Sequence, residues 1–217
     1  MINLIIVDDH DIVREGIRRL LEDKKGIKVV AEGKSGEEAI KLAKIHDPDV
    51  ILMDVRMPGI GGLEATRKIN RSYPDIKILN VTACSGDTYP SRLLDAGSSG
   101  FITKESDIDE IEHAIRVITA GQKYLSSEIA QRVALHKLNP DVTGTGPFAD
   151  LSDREMQIAM MIVSCKKTQD ISDTLFLSPK TISTYRHRLF DKLNIQGDVE
   201  LTLLAIKHGL LDPSETS

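Results

Sequence analysis

The chain has 217 residues, 41% hydrophobic and 28% charged, with a net charge of −5. That composition suits one large or two small soluble domains and excludes a global electrostatic footprint for nucleic acid, so any such surface must be local. Two distant cysteines, Cys84 and Cys165, exclude a disulfide framework and a CxxC metal site. No apolar run approaches the ~20 residues that span a bilayer, and no leader pattern opens the chain, so the expected location is the cytoplasm, away from membranes.

From Met1 to about Thr119 short apolar runs alternate with amphipathic stretches. Strands are predicted at 3–7, 27–31, 49–53, 76–81 and 99–102, and helices at 12–22, 36–46, 62–71, 88–96 and 107–119. Five βα repeats predict an α/β domain with a doubly wound, five-stranded parallel sheet. Ser35 with Glu38 reads as a capping box ahead of the second helix, and Pro74 separates the third helix from the fourth strand. A further helix is predicted over 126–137. The stretch Asn139–Asp150, with two Pro, two Gly and two Thr, reads as a flexible tether. Beyond it only helices are predicted, at about 152–163, 168–175, 179–193 and 198–208. Ser152 and Glu155 form a second capping box, with Leu151 able to staple onto Met156. Ser178-Pro179 starts the third of these helices. The tight joint at Phe176-Leu177 suggests a helix-turn-helix.

Three acids carry the chemical signal. Asp8 and Asp9 end the apolar run Leu4–Val7, and Asp54 ends the run Val50–Met53. Ligands bind beyond the carboxyl ends of such strands, so the three carboxylates should meet there and repel one another unless a cation neutralises them. An all-oxygen cluster suits Mg2+. A carboxylate beside a divalent cation can accept a phosphoryl group. Thr82 and Lys104, each following its own strand, offer a hydroxyl and an ammonium for phosphate oxygens. His10 reads as a surface residue rather than a Mg2+ ligand, and Cys84 as structural.

On a helical wheel of 179–193, Ile182, Tyr185, Leu189 and Leu193 make the buried seam, and Lys180, Ser183, Thr184, His187 and Asp191 lie opposite. Short hydrogen-bonding side chains on such a face suit the major groove of double-stranded DNA. Residues 178–193 hold four basic side chains (Lys180, Arg186, Arg188, Lys192) against one acid, a local net of 4 − 1 = +3. Cations of this kind suit phosphates.

Residues 1–120 resemble the receiver domain of bacterial two-component response regulators, through VDDH (7–10), MDVRMPGIGGLEATR (53–67), VTA (81–83) and FITK (101–104). The resemblance implies that Asp54 is the phosphoacceptor. It implies that Asp9 binds Mg2+ directly, Asp8 largely through water, and Arg56 through its backbone carbonyl. Thr82 and Lys104 would bind the phosphoryl group, and Thr82 with Phe101 would form the switch. LSDRE (151–155) and SPKTISTYRHRLFDKL (178–193) resemble the LuxR/NarL (FixJ) type of helix-turn-helix domain, placed at 151–217 after a helix and linker at 121–150. By position Ser183, Thr184 and His187 match its base-reading residues, with Lys180 and Arg188 as candidates for phosphate. Cys165 stands where that family often has Gly, and Ser172 where Ala is common; both are read as packing differences. In that family the last helix, here Val199–His208, is the dimer contact, which implies a homodimer in the active state; its Leu201, Leu203, Leu204 and Ile206 read equally well as packing on the domain itself. PGIGGLEATR, AGQKY, LSPKT and DVELTLLAIKHG are most similar to the GacA/UvrY/LetA group. That similarity implies a sensor histidine kinase of hybrid type as partner and genes for small regulatory RNAs as targets.

Two other readings compete. A phosphohydrolase of the haloacid dehalogenase kind also uses a strand-end Asp with Mg2+, but needs an acid two residues on, where this chain has Arg56. An adaptor binding protein partners through its helical domain would show no salt-dependent, sequence-selective DNA binding.

Overall fold

The structure, a computed structural model, describes residues 1–82, 88–127, 129–131, 147–208 and 210, excluding the side chains of 88–91 and 149. The chain divides into two compact units, the first built on Met1–Ala83 with Pro90–Ala130 and the second chiefly on Gln131–Ser217.

The first unit alternates strands and helices: β1 (Ile2–Val7), α1 (Asp11–Glu22), β2 (Ile27–Gly33), α2 (Gly36–His46), β3 (Val50–Asp54), α3 (Gly61–Ser72), β4 (Lys77–Thr82), α4 (Thr88–Asp95), β5 (Gly100–Thr103), α5 (Ile108–Thr119) and β6 (Tyr124–Leu125). All strand pairs are parallel, in the order β2-β1-β3-β4-β5-β6. The sheet therefore has six strands rather than the expected five. The sixth is two residues long, Gly100 pairing with Tyr124 and Phe101 with Leu125, too short to leave a hydrophobic period in the sequence.

Alternate strand residues feed two cores. Leu4, Ile6, Val50, Leu52, Leu79, Val81 and Ile102 meet Leu21 and α5 residues Ile111, Ile115 and Ile118 on one face. Ile5, Val7, Ile51, Met53 and Ile78 meet Ala39, Ala43, Ala65 and Ile69 on the other. Burial of both faces is why these strands read as unbroken apolar runs. The order changes direction at β1 and β3, and Val7 pairs with Met53. The residues that follow, Asp8 and Asp54, thus leave the sheet side by side at its switch point.

Ser35 caps α2 as expected, its hydroxyl accepting from the Glu38 amide at 3.3 Å. The reciprocal arm differs: Glu38 Oε2 accepts from the Lys34 amide at 2.8 Å, one residue further back than in a capping box. Of the helix expected over 126–137, residues 127 and 129–131 are helical and 132–137 lie outside the described residues. So do 139–146 of the expected tether, whereas Pro147–Asp150 form a 3-10 turn with Phe148 buried.

The described residues of the second unit form four α-helices, α6 (Asp153–Val163), α7 (Thr168–Leu175), α8 (Pro179–Leu193) and α9 (Asp198–Lys207). α8 packs on α6 and α7, and α9 on α6. Both arms of the Ser152–Glu155 capping box are made, and Leu151 and Met156 are buried. The α7–α8 turn is closed by Phe176 in the left-handed region (φ 52°), and by Ser178, which accepts from the Thr181 amide at 3.1 Å.

Candidate functional site

The acidic pocket forms where β1, β3, β4 and β5 end. Asp8 and Asp54 are buried, at 4% and 1% exposure, and Asp9 is partly exposed. Lys104, in the turn after β5, reaches across: its Nζ donates to Asp54 Oδ2 at 2.7 Å and to Asp8 Oδ2 at 3.1 Å. The Lys104 backbone is held by its amide, which donates to the Thr82 carbonyl at 3.0 Å. Thr82, at the end of β4, is buried at 1% exposure. The Arg56 amide donates to Asp54 Oδ1 at 3.1 Å. Phe101 is fully buried on β5, in register with the buried Asn80 two residues before Thr82. The structure brings Asp8, Asp9, Asp54 and Lys104 together, with Thr82 at the neighbouring strand end.

Charge and burial oppose each other here. Burial pushes the Asp54 carboxyl above its ordinary value, and Lys104 pulls it down without cancelling that push. Burial also works to lower the Lys104 ammonium, but the hydrogen bond and charge of Asp54, with Asp8, outweigh it and raise it. The lysine is therefore a firm cation between two acids. One acid is left over. Asp9 Oδ1 is buried and, among the described residues, accepts no hydrogen bond; His10 Nδ1 lies 3.0 Å away without hydrogen-bonding geometry. Asp8, Asp9, His10 and Asp54 each offer an atom within 4.8 Å of the others. An orphaned buried carboxylate oxygen among three acids fits a hard cation. His10 is the misfit, with its side chain 64% exposed and its amide and ring both directed at Asp8 Oδ1 (2.7 and 3.1 Å). The acids are positioned to bind a metal ion.

Sequence reasoning missed three supports of this pocket. Gly62 lets α3 meet the end of β3: a Cβ there would sit 2.1 Å from the Asp54 carbonyl oxygen. Glu37 accepts from the Ile60 amide at 3.0 Å and fills the space beside Gly59 (φ +75°). Arg14 donates to the Asp8 carbonyl oxygen at 2.8 Å. Only the Gly residues of GIGG left any trace in the sequence, because the other two contacts are made to backbone atoms, which no residue pattern marks.

In the second unit, Lys180, Ser183, Thr184, His187, Arg188 and Asp191 are exposed along α8, while Ile182, Leu189 and Leu193 are buried. Tyr185, expected in the seam, is only half-buried and borders a shallow surface groove with Lys180, Thr184 and Arg188. The Ser183 and Thr184 hydroxyls bond back to the Pro179 and Lys180 carbonyls, each at 3.0 Å. The four cations divide into two kinds. Arg186 makes two 2.7 Å bonds to Asp198 and stacks over Phe190. Lys192 bonds Glu155 Oε2 at 2.7 Å and the Asp150 carbonyl at 3.1 Å. Among the described residues no ion pair engages Lys180 or Arg188. Two of the four cations are thus committed inside the domain.

Cys165 and Ser172 act on the backbone as much as on packing. Cys165 is exposed with φ 58°, a left-handed conformation that glycine adopts without strain. The buried Ser172 donates to the Leu177 carbonyl at 2.5 Å, clipping the helix-turn-helix corner.

An acid pocket at the switch point of a doubly wound sheet, followed by a helix-turn-helix unit whose third helix exposes Lys180 and Arg188 with no ion pair among the described residues, defines a receiver joined to a DNA-binding domain. The chain belongs to the response regulator receiver family, which it matches over residues 4–116, and residues 149–205 match the luxR family of bacterial regulatory proteins. It is 56% identical over 214 residues to response regulator GacA of Pseudomonas viridiflava, covering 99% of this chain and 100% of that one. It is 52% identical over 217 residues to response regulator UvrY of Escherichia coli K12, covering 100% and 99%. Among solved structures it resembles RcsB of Salmonella enterica serovar Typhimurium bound to promoter rprA with the phosphomimetic BeF3-. The TM-score is 0.66 and the identity 25%, over 94% of this chain and 97% of that one. No described helix is long and apolar enough to cross a membrane.

Proposed function

We propose that this response regulator is a phosphorylation-switched transcription factor, divided into a receiver (1–120), a helix and linker (121–150) and a DNA-binding domain (151–217). The observation that carries the reading is the Lys104 bridge between Asp54 and Asp8 beside the orphaned Asp9 oxygen. Asp54 is the phosphoacceptor. One of its carboxylate oxygens attacks phosphorus of the donor, the donor's bond to phosphorus breaks, and an aspartyl phosphate results. Asp9, Asp8, Asp54 and the Arg56 carbonyl would hold Mg2+, which when bound offsets charge on the incoming phosphoryl oxygens. Lys104 exchanges a carboxylate partner for a phosphoryl oxygen, and the Thr82 hydroxyl supplies a second donor. Thr82 and Phe101 carry the change away from the site: both are buried in neighbouring strands, so neither can move without its neighbours repacking. Beyond self-catalysed phosphotransfer and dephosphorylation the protein is no enzyme.

In the second domain Ser183, Thr184 and His187 read base edges, and Lys180 and Arg188 hold phosphates. Support comes from their exposure on α8 and from the DNA-bound RcsB relative. The α9 residues Val199, Leu203 and Ile206 are 74%, 62% and 36% exposed at helical spacing. That apolar stripe supports a homodimer in the active state, which would place two reading helices on two half-sites. Similarity to the GacA/UvrY group supports a hybrid sensor histidine kinase as phosphodonor, small-RNA genes as targets, and a cytoplasmic setting. Promoter-fragment binding with and without acetyl phosphate and Mg2+ tests the reading. Affinity should rise on phosphorylation in the wild type and not in Asp54→Asn; an equal rise in the variant would refute it.

A further inference from the structure

The first turn of α1 holds a buried cation that the phosphorylation chemistry does not use. Arg14 is 8% exposed. Its guanidinium donates in three directions: to Asp11 Oδ1 at 2.5 Å, to Glu32 Oε2 at 3.1 Å and to the Asp8 carbonyl oxygen at 2.8 Å. Two carboxylates satisfy its charge, so a tie between α1 and β2 would already be complete without the third bond. That third bond is the informative one. The Asp8 carbonyl belongs to the peptide joining Asp8 to Asp9, so fixing it fixes the direction in which both acid side chains leave the backbone. The loop's other bonds go to different atoms. The Asp8 amide donates to the Gly33 carbonyl at 3.2 Å, the Arg14 amide donates to the His10 carbonyl at 3.0 Å, and the Asp8 carboxylate accepts from the His10 amide at 2.7 Å and from Lys104 Nζ at 3.1 Å. Lys104 already lies between Asp8 and Asp54, but Asp8 and Asp9 still repel each other, and a planar donor fork on the intervening carbonyl resists their splaying.

We propose that Arg14 is a positioning residue for the metal pocket, holding the Asp8–Asp9 peptide so that the two carboxylates are preset for a divalent cation. The inference rests on the reading of Asp8 and Asp9 as metal ligands. Preset ligands bind more tightly because the ordering is done before binding.

The test uses full-length protein and Mn2+ as a paramagnetic stand-in for Mg2+, with affinity read by electron paramagnetic resonance. Three variants are compared: Arg14→Gln, Arg14→Lys and Glu32→Gln. Arg14→Gln should weaken Mn2+ about tenfold, the scale of one lost charge-assisted hydrogen bond. In the metal-free protein its His10 amide should exchange faster than in the wild type. Glu32→Gln removes the ion pairs that Arg14 and Arg18 make from α1 to β2 but keeps the donor on Asp8, so it should stay within about twofold of wild type. Arg14→Lys keeps the charge without the fork and should fall between; it carries the comparison if Arg14→Gln does not fold. Wild-type affinity in both Arg14 variants, or equal weakening in Glu32→Gln, would show a tie between elements and overturn the proposal. A wild type that binds no Mn2+ would sink the metal reading first, and this inference with it.

Discussion

Lys104 Nζ lies 2.7 Å from Asp54 Oδ2, a solvent-sheltered ion pair spanning the ends of β3 and β5. The pair holds the candidate phosphoacceptor against a cation, yet burial still leaves the Asp54 carboxyl above its ordinary value. A raised acid contributes stability below its unfolded pKa and loses it as pH rises through its folded one. The ionised Asp54 carboxylate is therefore destabilising in the metal-free receiver. Asp54→Asn should raise its melting temperature at pH 7 by about 4 °C, the scale of about 1 kcal/mol in a domain of this size, and saturating Mg2+ should narrow the gap. Thermal melts with and without Mg2+ check this; a lower melting temperature for the variant in both conditions would contradict it.

Lys192 and Glu155 should make the helical domain acid-sensitive. Burial pushes Glu155 up, but Lys192 and Ser152 outweigh it and hold it below its ordinary value. A lowered acid contributes stability above its unfolded pKa and loses it as pH falls through its folded one. Urea unfolding of the domain should weaken below about pH 4.5, near the ordinary Glu value. Lys192→Met should cost about 1 kcal/mol at pH 7, discounted because the lysine is partly exposed, and should flatten the acid limb. An unchanged acid limb would count against the pair.

Gly62 leaves no room for a side chain. A Cβ 2.1 Å from the Asp54 carbonyl oxygen and 2.8 Å from Val55 Cα must push α3 off the strand end that carries Asp54. Gly62→Ala should destabilise the receiver by about 2–3 kcal/mol, as overpacking against backbone does, and should slow phosphorylation. Wild-type stability and labelling together would show that the loop yields freely.

The cations of α8 should separate by role. Lys180→Ala and Arg188→Ala should weaken binding to all sequences and lower the salt slope by about 1 each. His187→Ala and Thr184→Ala should change operator preference instead. Arg186→Ala should act through stability, because its guanidinium is committed to Asp198 and Phe190. Titrations against specific and random duplexes at several salt concentrations, with a melt for each variant, distinguish these outcomes.

Much of the pocket was legible because its acids end apolar runs buried on both faces, so the chain shows where each strand stops. Asp8, Asp9 and Asp54 are read from that alone. What closes around them was not legible. Arg14 and Glu37 act through backbone atoms of other segments, and no local period marks such a contact. Charge counting failed for the same reason: Arg186 and Lys192 look like Lys180 and Arg188 until Asp198 and Glu155 are seen beside them. Tyr185 fits the apolar seam by angle, but the helix flank there stays partly open. Cys165 shows the limit of reading by residue type, since its left-handed φ is a demand of the turn and not of the side chain.

Mapping the phosphoryl group tests the central claim most directly. After incubation with acetyl phosphate and Mg2+, the acyl phosphate is trapped by borohydride and located by peptide mass spectrometry. One modified residue at Asp54 is expected, lost in Asp54→Asn and sharply reduced in Lys104→Met. A label on Asp8, Asp9 or any other residue in the wild type, with Asp54 unmodified, would contradict the account.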